Sequence, residues 1–254
     1  MIIPILATLT VIIVTAILLK VVFARRLKGR RILLVGLSDA GKTLMFSQLH
    51  SGMKIMTQTS MKENKGLMSI EDGKMSDYSQ LGAHQPGSPR EKQAVVELVD
   101  VPGHERLRSQ ILEKNKQGVR GIIVVVDSVN FPTESRDVAE LVYDMLADST
   151  FCCYRVPLVV ACNKQDMVTA KSANVIGSQL EKEINALRVT RSAALEGIDN
   201  TNVGSKNTFI GKEGKDFEFS QVSNSVSLIE CSCKRNTGDE ADLEAVKDWI
   251  KGVF

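Results

Sequence analysis

Residues 36–43 read Gly-Leu-Ser-Asp-Ala-Gly-Lys-Thr, a loop able to wrap a chain of phosphates. Gly36 and Gly41 let the backbone curl, so that successive N–H groups across Leu37, Ser38, Asp39 and Ala40 face one anion. Lys42 brings a point charge to the outer phosphates, and the Thr43 hydroxyl is a ligand type that suits Mg²⁺. Four further stretches follow in the order such a site needs. Asp100-Val-Pro-Gly-His104 places a carboxylate where it can hold Mg²⁺ through water, and a Gly103 N–H where it can sense a terminal phosphate. Asn163-Lys-Gln-Asp166 supplies a carboxylate able to accept from both N1–H and the 2-amino group of guanine. Adenine has an acceptor at N1 and no 2-amino group, so the same carboxylate rejects it. The Lys164 stem can lie on the base plane, and Asn163 can tie this loop to the glycine loop. In Ser232-Cys233-Lys234 a backbone N–H can meet the 6-oxo oxygen. Thr57-Gln-Thr-Ser60 carries hydroxyls for Mg²⁺ and the outer phosphate; spacing from Lys42 favours Thr59 or Ser60, with Thr57 the third candidate. The expected ligands are GTP or GDP with Mg²⁺. His104 either orients water for attack on the phosphate or is simply exposed.

The elements that must position these residues alternate. Arg30–Gly36, Ala94–Asp100, Gly121–Asp127 and Pro157–Asn163 are nearly continuous apolar runs, as in strands of a parallel sheet buried on both faces. Gly66–Asp72 is a weaker, alternating strand. Lys42–Leu49, Glu134–Leu146, Ser178–Val189 and Asp239–Ile250 have helical periodicity. The fold class is therefore α/β, a phosphate-loop domain with a mostly parallel, doubly wound sheet and its ligand site at the carboxyl ends of the strands. Lys74–Gln93 is polar, contains Pro-Gly-Ser-Pro and is predicted to be a flexible hairpin connection. An insertion spans 170–225; within it Arg191–Lys215 is predicted as a loop, and Phe217–Gln221 and Val226–Cys231 as extended chain.

Residues 2–19 carry no charge, and the first acidic residue is Asp39. Before it stand Lys20, Arg25, Arg26, Lys28, Arg30 and Arg31. About 22 helical residues reach roughly 33 Å, the thickness of a hydrocarbon core. We expect an uncleaved anchor over 1–24, a basic linker over 25–30 and the nucleotide domain over 31–254. A cleaved signal peptide is the rival reading, but there is no basic n-region and no clear small-x-small site. The positive-inside rule then puts the domain in the cytosol. The five cysteines are odd in number, Cys152 and Cys153 are adjacent, and no histidine lies near any of them, which excludes a disulfide framework or a zinc site as the organising principle. They are expected as reduced, small apolar residues. A net charge of +2 gives no basis for direct nucleic-acid binding.

These motifs resemble the Ras-like small GTPases, above all the Arf/Sar branch, which shares the GL-x-x-x-GKT opening. The resemblance is closer to one family, the β subunits of the signal recognition particle receptor. It is carried by the N-terminal span, GLSDAGKTLMF, TQTS, LVDVPGHERLR, NKQD, LEKEINALRVTRSA, KDFEFSQ and IECSCK, over nearly the whole chain. The LRVTRSA and FEFSQ stretches lie in the insertion that ordinary Arf proteins lack. The resemblance implies a single-pass GTPase of the endoplasmic reticulum membrane that binds the receptor α subunit through its switch face when GTP is loaded, and meets the ribosome or translocon only indirectly. It also places His104 where many relatives carry a water-positioning glutamine, which implies slow hydrolysis and a nucleotide-gated binding module. The alternative is an Arf-like GTPase that turns over to recruit vesicle transport machinery. The Lys74–Gln93 connection and the Gly197–Gly214 loop depart from the family pattern.

Overall fold

The apolar runs lie side by side in the middle of one sheet. The structure is a computed structural model, and it describes residues 29–53, 55–71, 74–77, 94–196, 209–234 and 241–254. Its strands are β1 (Arg31–Val35), β2 (Asn64–Glu71), β3 (Lys74–Asp77), β4 (Ala94–Asp100), β5 (Val119–Asp127), β6 (Leu158–Asn163) and β7 (Val226–Glu230), in the spatial order β3-β2-β4-β1-β5-β6-β7. Neighbours from β4 across to β7 are parallel; β2 and β3 run antiparallel at one edge. The helices are α1 (Lys42–Ser51), α2 (Glu105–Asn115), α3 (Phe131–Ala147), α4 (Ser149–Cys153), α5 (Ala173–Glu196) and α6 (Glu244–Val253).

Strand side chains alternate between faces, and both faces are covered. Ile32, Leu34, Ile123, Val125 and Val159 share one buried layer with Met45 and Leu49 of α1 and Val246 and Ile250 of α6. Leu33, Val35, Val124, Val126 and Val160 share the other with Phe131 and Val142 of α3 and Ile176, Leu180 and Ile184 of α5. Both sets are apolar, which is why the runs read as continuous rather than alternating. Truncating a fully buried member such as Leu33 to alanine should cost about 2–5 kcal/mol.

Several expectations are corrected. The polar connection does not begin at Lys74, because Lys74–Asp77 is strand β3, with Met75 in register with Ile70. An edge strand has one neighbour only and tolerates a polar sequence. The helix predicted over Ser178–Val189 extends at both ends to Ala173–Glu196. Ile176 extends the apolar stripe toward the start, and beyond Val189 the Arg191 guanidinium bonds Glu140 and Asp144 while lying over the Tyr143 ring. Phe217–Gln221 is not strand: Phe217 is buried, and Phe219–Gln221 is a 3₁₀ turn whose Phe219 N–H donates to Glu181. Buried Arg188 donates to the carbonyls of Lys212 and Lys215, and Asn185 to Asp216, so α5 side chains hold this part of the insertion along the helix. Of the cysteines, Cys162, Cys231 and Cys233 are core residues, whereas Cys152 and Cys153 are exposed. Among the described residues no helix is long and apolar enough to cross a membrane. The expected anchor and residues 25–28 of the basic linker lie outside those residues, as do 78–93 and 197–208.

Candidate functional site

The glycine loop leaves β1 at the carboxyl end of the sheet and turns into α1. A side chain at Gly36 would sit 2.3 Å from the Val125 carbonyl oxygen, so strand and loop pass too close for any Cβ. Gly41 has φ +93° and caps α1; a Cβ there would meet Asn163 Nδ2 at 2.4 Å. Asp39 (φ +60°) also takes a left-handed conformation, which aspartate tolerates better than most residues. Lys42 is buried, and its ammonium donates to the Leu37 carbonyl across the loop. Burial lowers its pKa to about 8, with Asp100 opposing and Arg108 adding to the shift.

Beside Lys42 the hydroxyls and carboxylates converge. Thr43 Oγ1 donates to Asp100 Oδ2 at 2.8 Å and lies 3.0 Å from Ser60 Oγ. Asn64 Nδ2 donates to the same Asp100 oxygen at 2.9 Å. Asp100 is fully buried at the end of β4, and burial pushes its carboxyl up in spite of the Asn64 and Thr43 hydrogen bonds. Its other oxygen, Oδ1, is buried with no hydrogen-bond partner among the described residues. An orphaned carboxylate oxygen next to two hydroxyls is a hard-oxygen donor set that fits Mg²⁺. Of the three hydroxyl candidates before β2, Ser60 is half-buried against Thr43, whereas Thr57 and Thr59 are exposed.

The third corner is a cavity of about 320 Å³ lined by Gly41, Asp127, Asn163, Lys164, Asp166 and Cys233. Buried Asn163 joins its walls. Its Nδ2 donates to the Ala40 carbonyl at 2.8 Å, and its Oδ1 accepts from the Cys233 N–H at 3.0 Å. Lys164, at φ +67°, donates to Asp127 Oδ2 at 2.6 Å. Burial would raise the Asp127 carboxyl, but the Lys164 hydrogen bond and the Asn130 and Val129 N–H groups outweigh it and hold it below the usual range. Asp166 Oδ1 accepts from Ser232 Oγ at 2.7 Å, which fixes the carboxylate at the mouth of the cavity. Lys234 stays exposed.

The Asp100–His104 loop rests on the glycine loop: a Cβ at Gly103 would lie 2.7 Å from the Ser38 nitrogen. Arg108 of α2 donates to the Gly103 carbonyl at 3.2 Å and braces this turn from behind. His104 ends the turn as the exposed N-cap of α2, without a side-chain capping bond. Every glycine-loop residue is thus brought together with Asp100, Gly103, Asn163, Asp166 and Ser60; Lys164, Cys233 and the exposed Lys234 line the base-side cavity, while Thr57, Thr59 and His104 stand outside. Sequence reasoning missed Asp127 and Asn64. Asp127 had a signal, since it ends an apolar strand just as Asp100 does; Asn64 had none.

Three comparisons bear on this geometry. The sequence profile described as "Signal recognition particle receptor beta subunit" matches residues 27–226. The chain is 40% identical to the "Signal recognition particle receptor subunit beta" of Homo sapiens over 250 residues, covering 96% of this chain and 85% of that one. It is 38% identical to the protein of the same name from Mus musculus over 247 residues, covering 96% and 84%. Its fold is similar to a chain of "The Structure of the Mammalian SRP Receptor", with a TM-score of 0.68 and 38% identity over 89% of this chain and 100% of that one.

Proposed function

The chain belongs to the family of signal recognition particle receptor β subunits, and on that premise we propose that it is the GTP-binding, membrane-anchored subunit that holds the receptor α subunit at the endoplasmic reticulum for cotranslational protein targeting. The observation that carries the nucleotide part is the Asn163 clamp, which gathers the glycine loop, the Asn163–Asp166 loop and the Cys231–Lys234 loop around one cavity. Asp166 reads guanine with its carboxylate, the Lys164 stem covers the base, and backbone N–H groups of the Ser232–Lys234 turn face the 6-oxo oxygen. The N–H groups of 36–43 and the Lys42 ammonium take the phosphates.

Thr43 and Ser60 hydroxyls would hold Mg²⁺, with Asp100 acting through water. The ion, when bound, supplies positive charge to the outer phosphate oxygens. Gly103 N–H and the Ser60 loop respond to the terminal phosphate, because each sits on an element that contacts the glycine loop or Thr43. Next to this gate the loop from α1 to β2 exposes Met53, Ile55, Met56 and Met61, and β2 exposes Leu67. Exposed methionines beside a ligand-ordered loop suit an adaptable docking face, which supports capture of the α subunit in the GTP state. Among the described residues His104 makes no hydrogen bond that would aim it, which supports slow intrinsic hydrolysis and a binding role over rapid turnover.

The apolar run over 2–19 and the basic residues after it support a single span with a cytosolic domain. A fixed span favours this reading over an Arf-like transport GTPase, which needs reversible attachment. The experiment is capture of the α subunit by the full chain in proteoliposomes, loaded with a non-hydrolysable GTP analogue or with GDP. Capture at least about tenfold better with the analogue is expected, a difference of about 1.4 kcal/mol. Equal capture in both states, or none in either, would favour the transport reading.

A further inference from the structure

The chain enters the sheet at the pole opposite the nucleotide site. Gly29 lies against Gly118, where a Cβ would come within 2.0 Å of the Gly118 carbonyl oxygen, and the Arg31 N–H donates to that oxygen at 3.2 Å. Between the uncharged run ending at Leu19 and Gly29 stand the nine residues Lys20–Lys28. Fully extended they reach at most about 32 Å. Whatever surface holds the apolar run, this basal pole stays within that distance of it.

The pole has its own chemistry. A cavity of about 540 Å³ opens there, lined by Arg120, Tyr154, Pro157, Ser225, Ser227 and Trp249. Arg120 Nε donates to the Val253 carbonyl at 2.7 Å, and its guanidinium lies 5.7 Å from the Phe254 ring centre; no carboxylate pairs with it among the described residues. Arg30 and Arg155 are exposed, and neither has an acidic partner among the described residues. The acidic groups nearby are already taken: Glu97 by Arg31, Asp148 by Lys116 and Asp248 by Lys251. An unneutralised arginine set around a cavity with two serine hydroxyls, a tyrosine and a tryptophan matches phosphate oxygens above and an apolar boundary below.

We propose that this basal pole is a docking surface for anionic phospholipid headgroups, with Arg30, Arg120 and Arg155 taking the phosphates and Tyr154 and Trp249 at the interface. The proposal deepens the anchored reading above and rests on it. Tether length and charge sign both argue for the lipid: the tether keeps the pole within about 32 Å of the bilayer, and the pole continues the basic run of Lys20, Arg25, Arg26 and Lys28. The consequence is orientation. The central parallel strands run from this pole toward the nucleotide site, and the nine residues of β5 span about 30 Å. Docking therefore turns the gated face away from the bilayer.

Trp249 is the single tryptophan of the chain, so its emission reports this pole alone. The test uses the full chain in phosphatidylcholine vesicles, with or without phosphatidylserine, carrying a spin label on the headgroup or midway along the acyl chain. Strong quenching by the headgroup label that rises with phosphatidylserine, with little from the acyl label, is expected. Arg30→Gln combined with Arg155→Gln should lower the phosphatidylserine-dependent part about twofold or more while leaving guanine-nucleotide retention unchanged. Co-flotation with vesicles but no quenching overturns the proposal and leaves the anchor standing. Quenching equal with and without phosphatidylserine overturns the anionic recognition. Failure to float with vesicles at all removes the anchored reading, and this surface with it.

Discussion

Thr43 and Ser60 bring their hydroxyls within 3.0 Å of each other, one in the first turn of α1 and the other in the loop that leads into β2. The same Thr43 hydroxyl reaches Asp100, so helix, loop and strand end meet at one point. This contact separates two hydroxyls that spacing alone left level. Ser60→Ala should speed Mg²⁺-dependent nucleotide release about tenfold, the loss of roughly one good polar contact. Thr59→Ala should change it little, because Thr59 is exposed. Release of a fluorescent GDP analogue, with Mg²⁺ and after chelation, measures both. A larger effect at Thr59 would mean that the loop rearranges when the ligand binds.

Base choice rests on Asp166, held by Ser232 Oγ at 2.7 Å. Asp166→Asn replaces a double acceptor with a group that can donate to a 2-oxo oxygen. Affinity for GDP should drop by about 2 kcal/mol or more, and affinity for the xanthine nucleotide should rise. Competition titrations with the two diphosphates check this, and unchanged GDP affinity would place the base elsewhere.

Asn163 serves structure and ligand together. Asn163→Ala leaves the Ala40 carbonyl and the Cys233 N–H facing each other across a gap, both in buried surroundings. Losing two such partners should cost about 2–4 kcal/mol of stability. Urea unfolding without nucleotide isolates that cost from any loss of binding. Gly41→Ala strikes the same clamp from the other side, since its Cβ would sit 2.4 Å from Asn163 Nδ2.

The legible part of this site is the part with local chemistry. Gly36–Thr43 and Asn163–Asp166 announce themselves because their residue types are needed at fixed spacings within one turn. The apolar runs announced four central strands, because burial on both faces leaves few polar residues between their ends, Glu97 of β4 paired with Arg31 being one. What failed was decided by distant partners. Val189 and Arg191 look like the end of a helix, yet α5 continues to Glu196, and Arg191 binds Glu140 and Asp144 on α3. FEFSQ alternates like a strand but is bent into a turn by the buried Phe217 and the Glu181 carboxylate. Asn64 bonds Asp100 across 36 positions, and no local pattern marks it. Strand β3 has no apolar run to find, because an edge strand does not require one.

Lys42 gives the site a pH dependence whose sign is fixed. Burial lowers its pKa to about 8, so without ligand the ammonium is charged below that pH and increasingly neutral above it. A phosphate beside it favours the charged form and raises the pKa again. Binding above pH 8 must therefore take up a proton, and affinity should fall by up to about tenfold per pH unit there while staying nearly flat from pH 7 to 7.5. Lys42→Arg carries a charge that does not titrate in this range, so it should bind more weakly at neutral pH yet lose the decline. Calorimetric titration of GDP in buffers of different ionisation enthalpy reads the proton uptake directly. Uptake approaching one proton near pH 9 in the parent and none in Lys42→Arg is the expected result. Equal uptake in both would assign the proton to another group, and no uptake in either would mean that the ammonium is already charged before the phosphate arrives.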